Sequence, residues 1–251
     1  MFNWICSVPV APLRKEASHR SEMVSQLLFG EILEVLETSG DFVLIKSAYD
    51  AYIGWCQRCQ LTELTQSIKP PEQEILTAHF INPAKFRDTP IHLPMGVPIN
   101  TWKEITEPEF VIPENTLLAG SVPFNNSTII SHTSCYLNVP YLWGGRSIFG
   151  IDCSGFSQQV YRYFGKPLPR DSGDQSKLGE HVGFLAEAIA GDLAFFDNAE
   201  GTITHVGILL NPNTIIHASG KVRVDTIDQW GIISRETQLR THTLRIIKRI
   251  L

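Results

Sequence analysis

Residues 141–165 read YLWGGRSIFGIDCSGFSQQVYRYFG. Phe156, Val160, Tyr163 and Phe164 recur at helical spacing, and Gly165 followed by Pro167 ends the run, so the pattern predicts a helix that opens at about Cys153. The Gly144-Gly145 pair ahead of it gives backbone freedom for a turn. No Gly-Lys-Ser/Thr follows the pair, so it is not a phosphate loop. Downstream, AGDLAFFDN (190–198), THVGILL (204–210), TIIHASG (214–220), KVRVDTI (221–227) and LRIIKRIL (244–251) read as successive strands. One helix followed by a run of antiparallel-looking strands is an α+β pattern.

Three residues in this region carry chemistry. A thiol at a helix start faces the positive end of the helix dipole, which favours its nucleophilic thiolate, and Cys153 has small polar neighbours in Asp152, Ser154 and Gly155. His205 interrupts an apolar strand, and His217 ends the next one, twelve residues on. A hairpin turning at Asn211-Pro212-Asn213 sets the two imidazoles on one face. That is the layout of nucleophile, base and orienting group. A single histidine on an apolar strand is more often a satisfied core residue; two of them together with a helix-start cysteine point to catalysis. His19, His79, His92, His132, His181 and His242 lack that context and read as surface or structural. Cys153, His205 and His217 also suit zinc by ligand type, but the reading adopted is a site with no metal and no cofactor.

The first sixty residues are different. GEILEVLE (30–37), DFVLIKSA (41–48) and AYIGWCQ (51–57) are short strands separated by turns, as in a small barrel. The stretch 12–56, with its Leu-Arg entry, its Gly-Glu strand and its Tyr-x-Gly-Trp closing strand, is similar to a bacterial SH3-like domain. Pro70-Pro71 and the polar run around them suggest a linker or an extended wrap over 66–90, and HLPMGVPI (92–99), PEFVIPENTLLAG (108–120) and VPF (122–124) suggest further small-barrel β-structure. The expected domains are therefore 1–65, SH3-like; 66–130, a linker plus a second, divergent SH3-like domain; and 131–251, catalytic.

Composition narrows the function. The 251 residues are 43% hydrophobic, enough for packed cores, and their 21 basic and 26 acidic side chains leave a net charge of −5 with no basic run. Nucleic-acid binding needs clustered Lys and Arg and is not expected. No apolar stretch approaches the roughly 18 residues of a membrane span. The start, MFNWICSVPV, does not read as a secretory signal, so a cytoplasmic monomer is expected. Five cysteines, an odd number, argue against a disulfide framework, and the Cys56–Cys59 pair has no second pair to complete a zinc site.

The segments around Cys153, GDLAFF, HVGI and HAS together resemble the NlpC-type cell-wall cysteine peptidases, which have a papain-like α+β fold. The resemblance covers about 115 residues, with the motifs in family order. It implies Cys153 as nucleophile, His205 as general base, His217 as orienting residue, and the Cys153 backbone N–H as an oxyanion donor. With an SH3-like domain in front, the chain resembles the γ-D-glutamyl-L-diamino acid dipeptidyl-peptidases, which require a free N-terminal L-alanine. That resemblance implies substrate contacts at Tyr141, Asp152, Ser154, Asp171 and Ser172, with Glu22 and Tyr52 on the SH3-like side. It also implies peptidoglycan-derived peptides as substrate. Asp171 has a second reading as the N-cap of the turn that follows it; Arg170 reads as a surface charge. Competing functions are an exported endopeptidase acting on intact wall and a wall-peptide binding protein with an inactive site.

Overall fold

The structure is a computed structural model and describes residues 2–103, 105, 110–111 and 113–250. Of the expected PEFVIPENTLLAG strand region, Pro108, Glu109 and Ile112 lie outside the described residues, as does Leu251 of the last expected strand. The chain forms two compact units: residues 1–121 with 143–149, and residues 122–142 with 150–251.

In the first unit, β1 (Phe2–Cys6), β2 (Val10–Arg14), β3 (Met23–Leu28), β4 (Ile32–Ser39), β5 (Phe42–Ser47), β6 (Ile53–Gln57) and β7 (Leu61–Ile68) form one antiparallel sheet in the order β3-β2-β6-β5-β4-β1-β7. Its inner face buries Ala11, Leu13, Leu27, Leu33, Val43 and Ile45 with Cys6 and Cys56. β8 (Ile75–Thr77), β9 (Ile81–Phe86), β10 (Thr89–Pro94), the short α1 (Asn100–Lys103), β11 (Phe110–Val111) and β12 (Thr116–Leu118) follow. The stretch 66–90, expected as a linker or wrap, thus carries the end of β7, two further strands and the start of a third. Phe86, Leu93, Val97, Ile99 and Trp102 share one buried cluster with Ile5, Leu28, Phe29 and Ile32 of the barrel. Phe29 stacks on Trp102 with ring centroids 5.1 Å apart.

Residues 143–149, containing β13 (Arg146–Ser147), also belong to this unit. Gly144 has φ +77°, and a Cβ there would stand 2.5 Å from the Met23 carbonyl oxygen, so only glycine fits. Trp143 Nε1 donates to Glu22 Oε1 at 2.8 Å. Arg146 is 1% exposed; its guanidinium donates to Gln26 O and pairs with Glu31, at 3.1 Å to each carboxylate oxygen. Both charges are out of water, so each depends on the other.

In the second unit, α2 (Asn126–Ser134) opens on a capping box between Asn125 and Thr128. β14 (Gly150–Ile151) leads into α3 (Cys153–Tyr163), which ends at Phe164 with Gly165 at φ +69°. The helix begins and ends where the sequence pattern places it. It is not amphipathic in its setting, however: Cys153 through Arg162 are all buried. Two of its polar residues are paired inside, with Ser157 Oγ 2.7 Å from Gln175 Oε1 of the short α4 (Ser172–Gln175) and Gln158 Nε2 3.0 Å from Leu168 O, while the buried Gln159 amide makes no hydrogen bond among the described residues.

β15 (Glu180–His181), β16 (Leu193–Asp197), β17 (Ile203–Asn211), β18 (Thr214–Ser219), β19 (Lys221–Asp228), β20 (Gly231–Ile233) and β21 (Arg240–Arg249) form an antiparallel sheet in the order β15-β21-β16-β17-β18-β19-β20. β20 also pairs with β21, so the sheet closes on itself and that end has no free edge. Ala194, Phe196, Leu209, Ile215, Ile227, Ile232 and Ile247 fill part of this unit's core. The α+β class expected from the sequence is the one observed. All five cysteines are free thiols. Among the described residues, no helix is long and apolar enough to cross a membrane.

The Arg146–Glu31 pair yields a first prediction. Arg146→Met alone leaves the buried Glu31 carboxylate without its cation and lowers stability by about 3–5 kcal/mol. Adding Glu31→Gln recovers much of that loss. Urea denaturation of the single and double variants checks both.

Candidate active site

The nucleophile end of the site rests on a cap. Asp152 is extended, and its Oδ1 accepts the Gly155 N–H at 2.7 Å, closing the start of α3. Arg170 grips the same carboxylate, Nη1 to Oδ1 at 3.0 Å and Nη2 to Oδ2 at 2.5 Å, and reaches Ser154 Oγ at 2.8 Å. Arg170 is 2% exposed, so the surface charge expected from the sequence is instead a buried partner. A carboxylate buried at a helix start needs such a partner. Asp152 and Ser154 are held in this network.

Cys153, the first residue of α3, is buried as well, against the expectation drawn from its small polar neighbours. Burial and then the Asp152 carboxylate push its thiol up to about 12, against the Val206 and Ser154 backbone N–H groups and the Arg170 charge, which favour the thiolate. The helix start therefore does not hold a resting thiolate; it holds a protonated thiol whose anion is met by donors when it forms. Tyr141 lies in the same neighbourhood. Its phenol is raised to about 12 by burial, and further by Cys153 and Asp152.

The base end is a diagonal across three strands. Ile208 of β17 lies opposite Ile216 of β18, which puts Gly207 opposite His217 and His205 one step along the diagonal on the same face. His217 in turn pairs with Arg223 of β19, with Asp225 on its diagonal. A Cβ on Gly207 would stand 2.9 Å from His217 Cβ and 2.6 Å from Ile215 Cδ1, so glycine is what lets this hairpin close beside the two rings. His205 Nε2 is 2.8 Å from His217 Nδ1, and His217 Nε2 is 3.0 Å from Asp225 Oδ2. Asp225 also accepts from Arg223 Nε and from the Arg235 backbone N–H, both at 2.8 Å.

These contacts set the protonation states. Burial pushes Asp225 up, but the His217 and Arg223 hydrogen bonds and the Arg235 N–H together outweigh it and keep the carboxyl well below its usual range. Burial lowers His217, opposed by Asp225. Burial, followed by His217 and His242, holds His205 well below the ordinary imidazole value. An ionised Asp225 accepts the proton on His217 Nε2, which leaves His217 Nδ1 and His205 Nε2 to share one proton. If His205 Nε2 carries that proton, His205 Nδ1 is a free base.

His242 of β21, expected to be surface or structural, belongs here: its ring stacks on His205 with centroids 4.1 Å apart at 23°. Asp225 is likewise not marked by its sequence context. Its only local signal is an acid in an alternating strand. For His242, on a strand that alternates polar and apolar residues, no local signal exists. The ring nitrogens of His205, His217 and His242 lie within 4.8 Å of one another, a spacing open to a metal ion. The orientation is unsuited to one. Two rings are stacked, so their in-plane lone pairs run side by side, and the His205 and His217 nitrogens point at each other.

The remaining expected residues are placed as follows. Asp171 is exposed and is the N-cap residue of α4, as its second reading has it, although its side chain makes no cap hydrogen bond; Ser172 is half-buried. Glu22 and Tyr52 belong to the first unit, where Glu22 receives the Trp143 indole N–H and Tyr52 packs against the barrel core. His132 is structural, stacked on Tyr163 at 3.6 Å and lowered to about 3 by burial.

Residues 138–241 match the NlpC/P60 family, and residues 13–61 match the bacterial dipeptidyl-peptidase Sh3 domain. A gamma-D-glutamyl-L-lysine dipeptidyl-peptidase of Bacillus subtilis is 30% identical over 217 residues, covering 77% of this chain and 71% of the relative. The probable endopeptidase p60 of Listeria seeligeri is 39% identical over 110 residues, 41% of this chain and 20% of the relative. The crystal structure of an NlpC/P60 family protein from Bacillus cereus superposes with a TM-score of 0.76 at 19% identity, covering 99% of both chains, which shows a shared fold. The chain is a cysteine-type hydrolase and belongs to the NlpC/P60 family.

Proposed function

We propose that the protein is a dipeptidyl-peptidase that cleaves the γ-D-glutamyl–diamino acid bond of peptidoglycan-derived peptides bearing a free N-terminal L-alanine, releasing L-Ala-γ-D-Glu. The observation that carries this reading is the hydrogen-bonded line from His205 through His217 to Asp225, beside a helix-start cysteine, in a chain whose N-terminal residues match the dipeptidyl-peptidase Sh3 domain. The substrate class is that named for the Bacillus subtilis relative.

In this reading His205 Nδ1 takes the Cys153 proton as sulfur attacks the γ-amide carbon. Because the thiol stays protonated at rest, proton transfer accompanies attack rather than preceding it. The Cys153 backbone N–H, without an intrahelical partner at the helix start, stabilises the oxyanion. The imidazolium then protonates the leaving amine, and a water activated by His205 resolves the thioester. His217 and Asp225 stabilise the charged His205 through the relay. Asp171 supplies the anion for the substrate ammonium, with Tyr141, Asp152, Ser154 and Ser172 of the same unit completing its binding set. A site built on an ammonium–carboxylate pair rejects an N-acetylated peptide, because the carboxylate is then left unpaired. The substrates are soluble wall fragments, and the reading includes cytoplasmic recycling by a monomer.

Hydrolysis of L-Ala-γ-D-Glu-diaminopimelate, its lysine counterpart and their N-acetylated forms tests this. Cleavage of free peptides only, abolished in Cys153→Ala, is the expected result; equal cleavage of acetylated peptides shows an endopeptidase without amine selection. The pH profile follows from the same groups. His205 must be neutral to act, and it is held below the ordinary value, so kcat/KM on the free peptide persists below pH ~6.5 and falls only as the lowered His205 protonates. The alkaline limb belongs to the substrate amine, near pH ~8, and not to the thiol. A profile of kcat/KM against pH checks both limbs.

A further inference from the structure

His242 is the one imidazole beside the relay that takes no place in it. It sits on β21 opposite Ile232 of β20, and its Nδ1 is 2.9 Å from the neighbouring Thr241 Oγ1. β21 also pairs with β16, whose Phe196 lies opposite both Leu244 of β21 and His205 of β17. The backbone ladder thus carries His242 to the same face as His205. Three rings surround His205: His242 face to face at 4.1 Å, His217 edge-on at 5.0 Å and 84°, and Phe196 tilted at 5.7 Å.

The hydrogen bond to His217 fixes one point of the His205 ring. A ring held at one nitrogen can still rock about that bond, and rocking swings Nδ1 away from a thiol at the start of α3. A flat partner on the open face removes that freedom. We infer that His242 is a positioning residue for the reaction, its ring stacked on His205 to hold the general base in the plane that joins the His217 relay to the Cys153 thiol. This rests on the roles given above to Cys153 and His205. It also accounts for the identity of the side chain. A planar ring fits the stack. Burial, followed by His217, lowers His242 to about 4, so it is neutral when the enzyme works.

The rings around His205 are His217 from β18, His242 from β21 and apolar Phe196 from β16, with Asp225 bonded to His217 and Arg223 of β19 bonded to Asp225 behind it. Of these, His242 opposes charge on His205 without sharing a proton with it.

The test compares His242→Ala with His242→Phe, by hydrolysis of the free peptide and, without substrate, by iodoacetamide labelling of Cys153 read at the Cys153 peptide by mass spectrometry. Loss of the stack lowers kcat roughly tenfold to a hundredfold in the Ala variant with KM unchanged, the scale of a misplaced catalytic group, and slows Cys153 labelling in step. The Phe variant keeps the stack, so kcat and labelling stay near wild type. Its acid limb moves to higher pH, because one group opposing charge on His205 is gone. Wild-type kcat in the Ala variant overturns the inference. So does a Phe variant as impaired as the Ala variant, or one with an unmoved acid limb. If the wild type cleaves none of the peptides, the substrate assignment fails, while the labelling pattern of the two variants still decides the role of His242.

Discussion

One hydrogen bond between two buried imidazoles, His205 to His217, sets the terms for the second unit. It forms because the β17–β18 register places the two residues on one diagonal of one face. A slip by a single residue would turn one ring to the opposite side of the sheet. Gly207 enforces the register from inside, since any side chain there would collide with His217 and Ile215. Asp225 extends the same diagonal into β19, and closure of β20 onto β21 brings His242 round to the same face. The site is a property of the whole closed sheet, built without a long loop.

Burial is the second theme. Cys153, Asp152, Arg170, His205, His217 and Asp225 are all withdrawn from water, yet the charged members are paired and the polar ones bonded. A satisfied polar network in a low dielectric is rigid, and a partly satisfied one is costly. The same burial decides the chemistry. It keeps the thiol protonated and the imidazole neutral, so the pair rests uncharged, and charge appears only as the reaction proceeds.

Much of this could be read from residue order. The helix from Cys153 to its glycine stop was legible because apolar spacing and punctuation agree. The His205–His217 pairing was legible because a short turn joins two apolar strands. Asp225, Arg170 and His242 were not legible as site residues. Each reaches the site through strand pairing or loop return, and each sits in a local pattern that suits an exposed position equally well. Arg170 shows the limit clearly: an arginine between Pro169 and Asp171 looks solvated, and only the fold reveals the capping carboxylate it must neutralise. The expected resting thiolate failed for a related reason. Sequence shows the helix start but not the depth at which it lies.

The chain passes between its two units more than once, because residues 143–149 fold with the first unit while their flanks fold with the second. The chain therefore crosses between the units three times, and no single cut separates one from the other. A recombination event at residue 121 would hand a new partner the loop carrying Arg146 without the Glu31 that neutralises it. Separating the two units cleanly would need cuts at all three points where the chain crosses between them, on both sides of the loop 143–149.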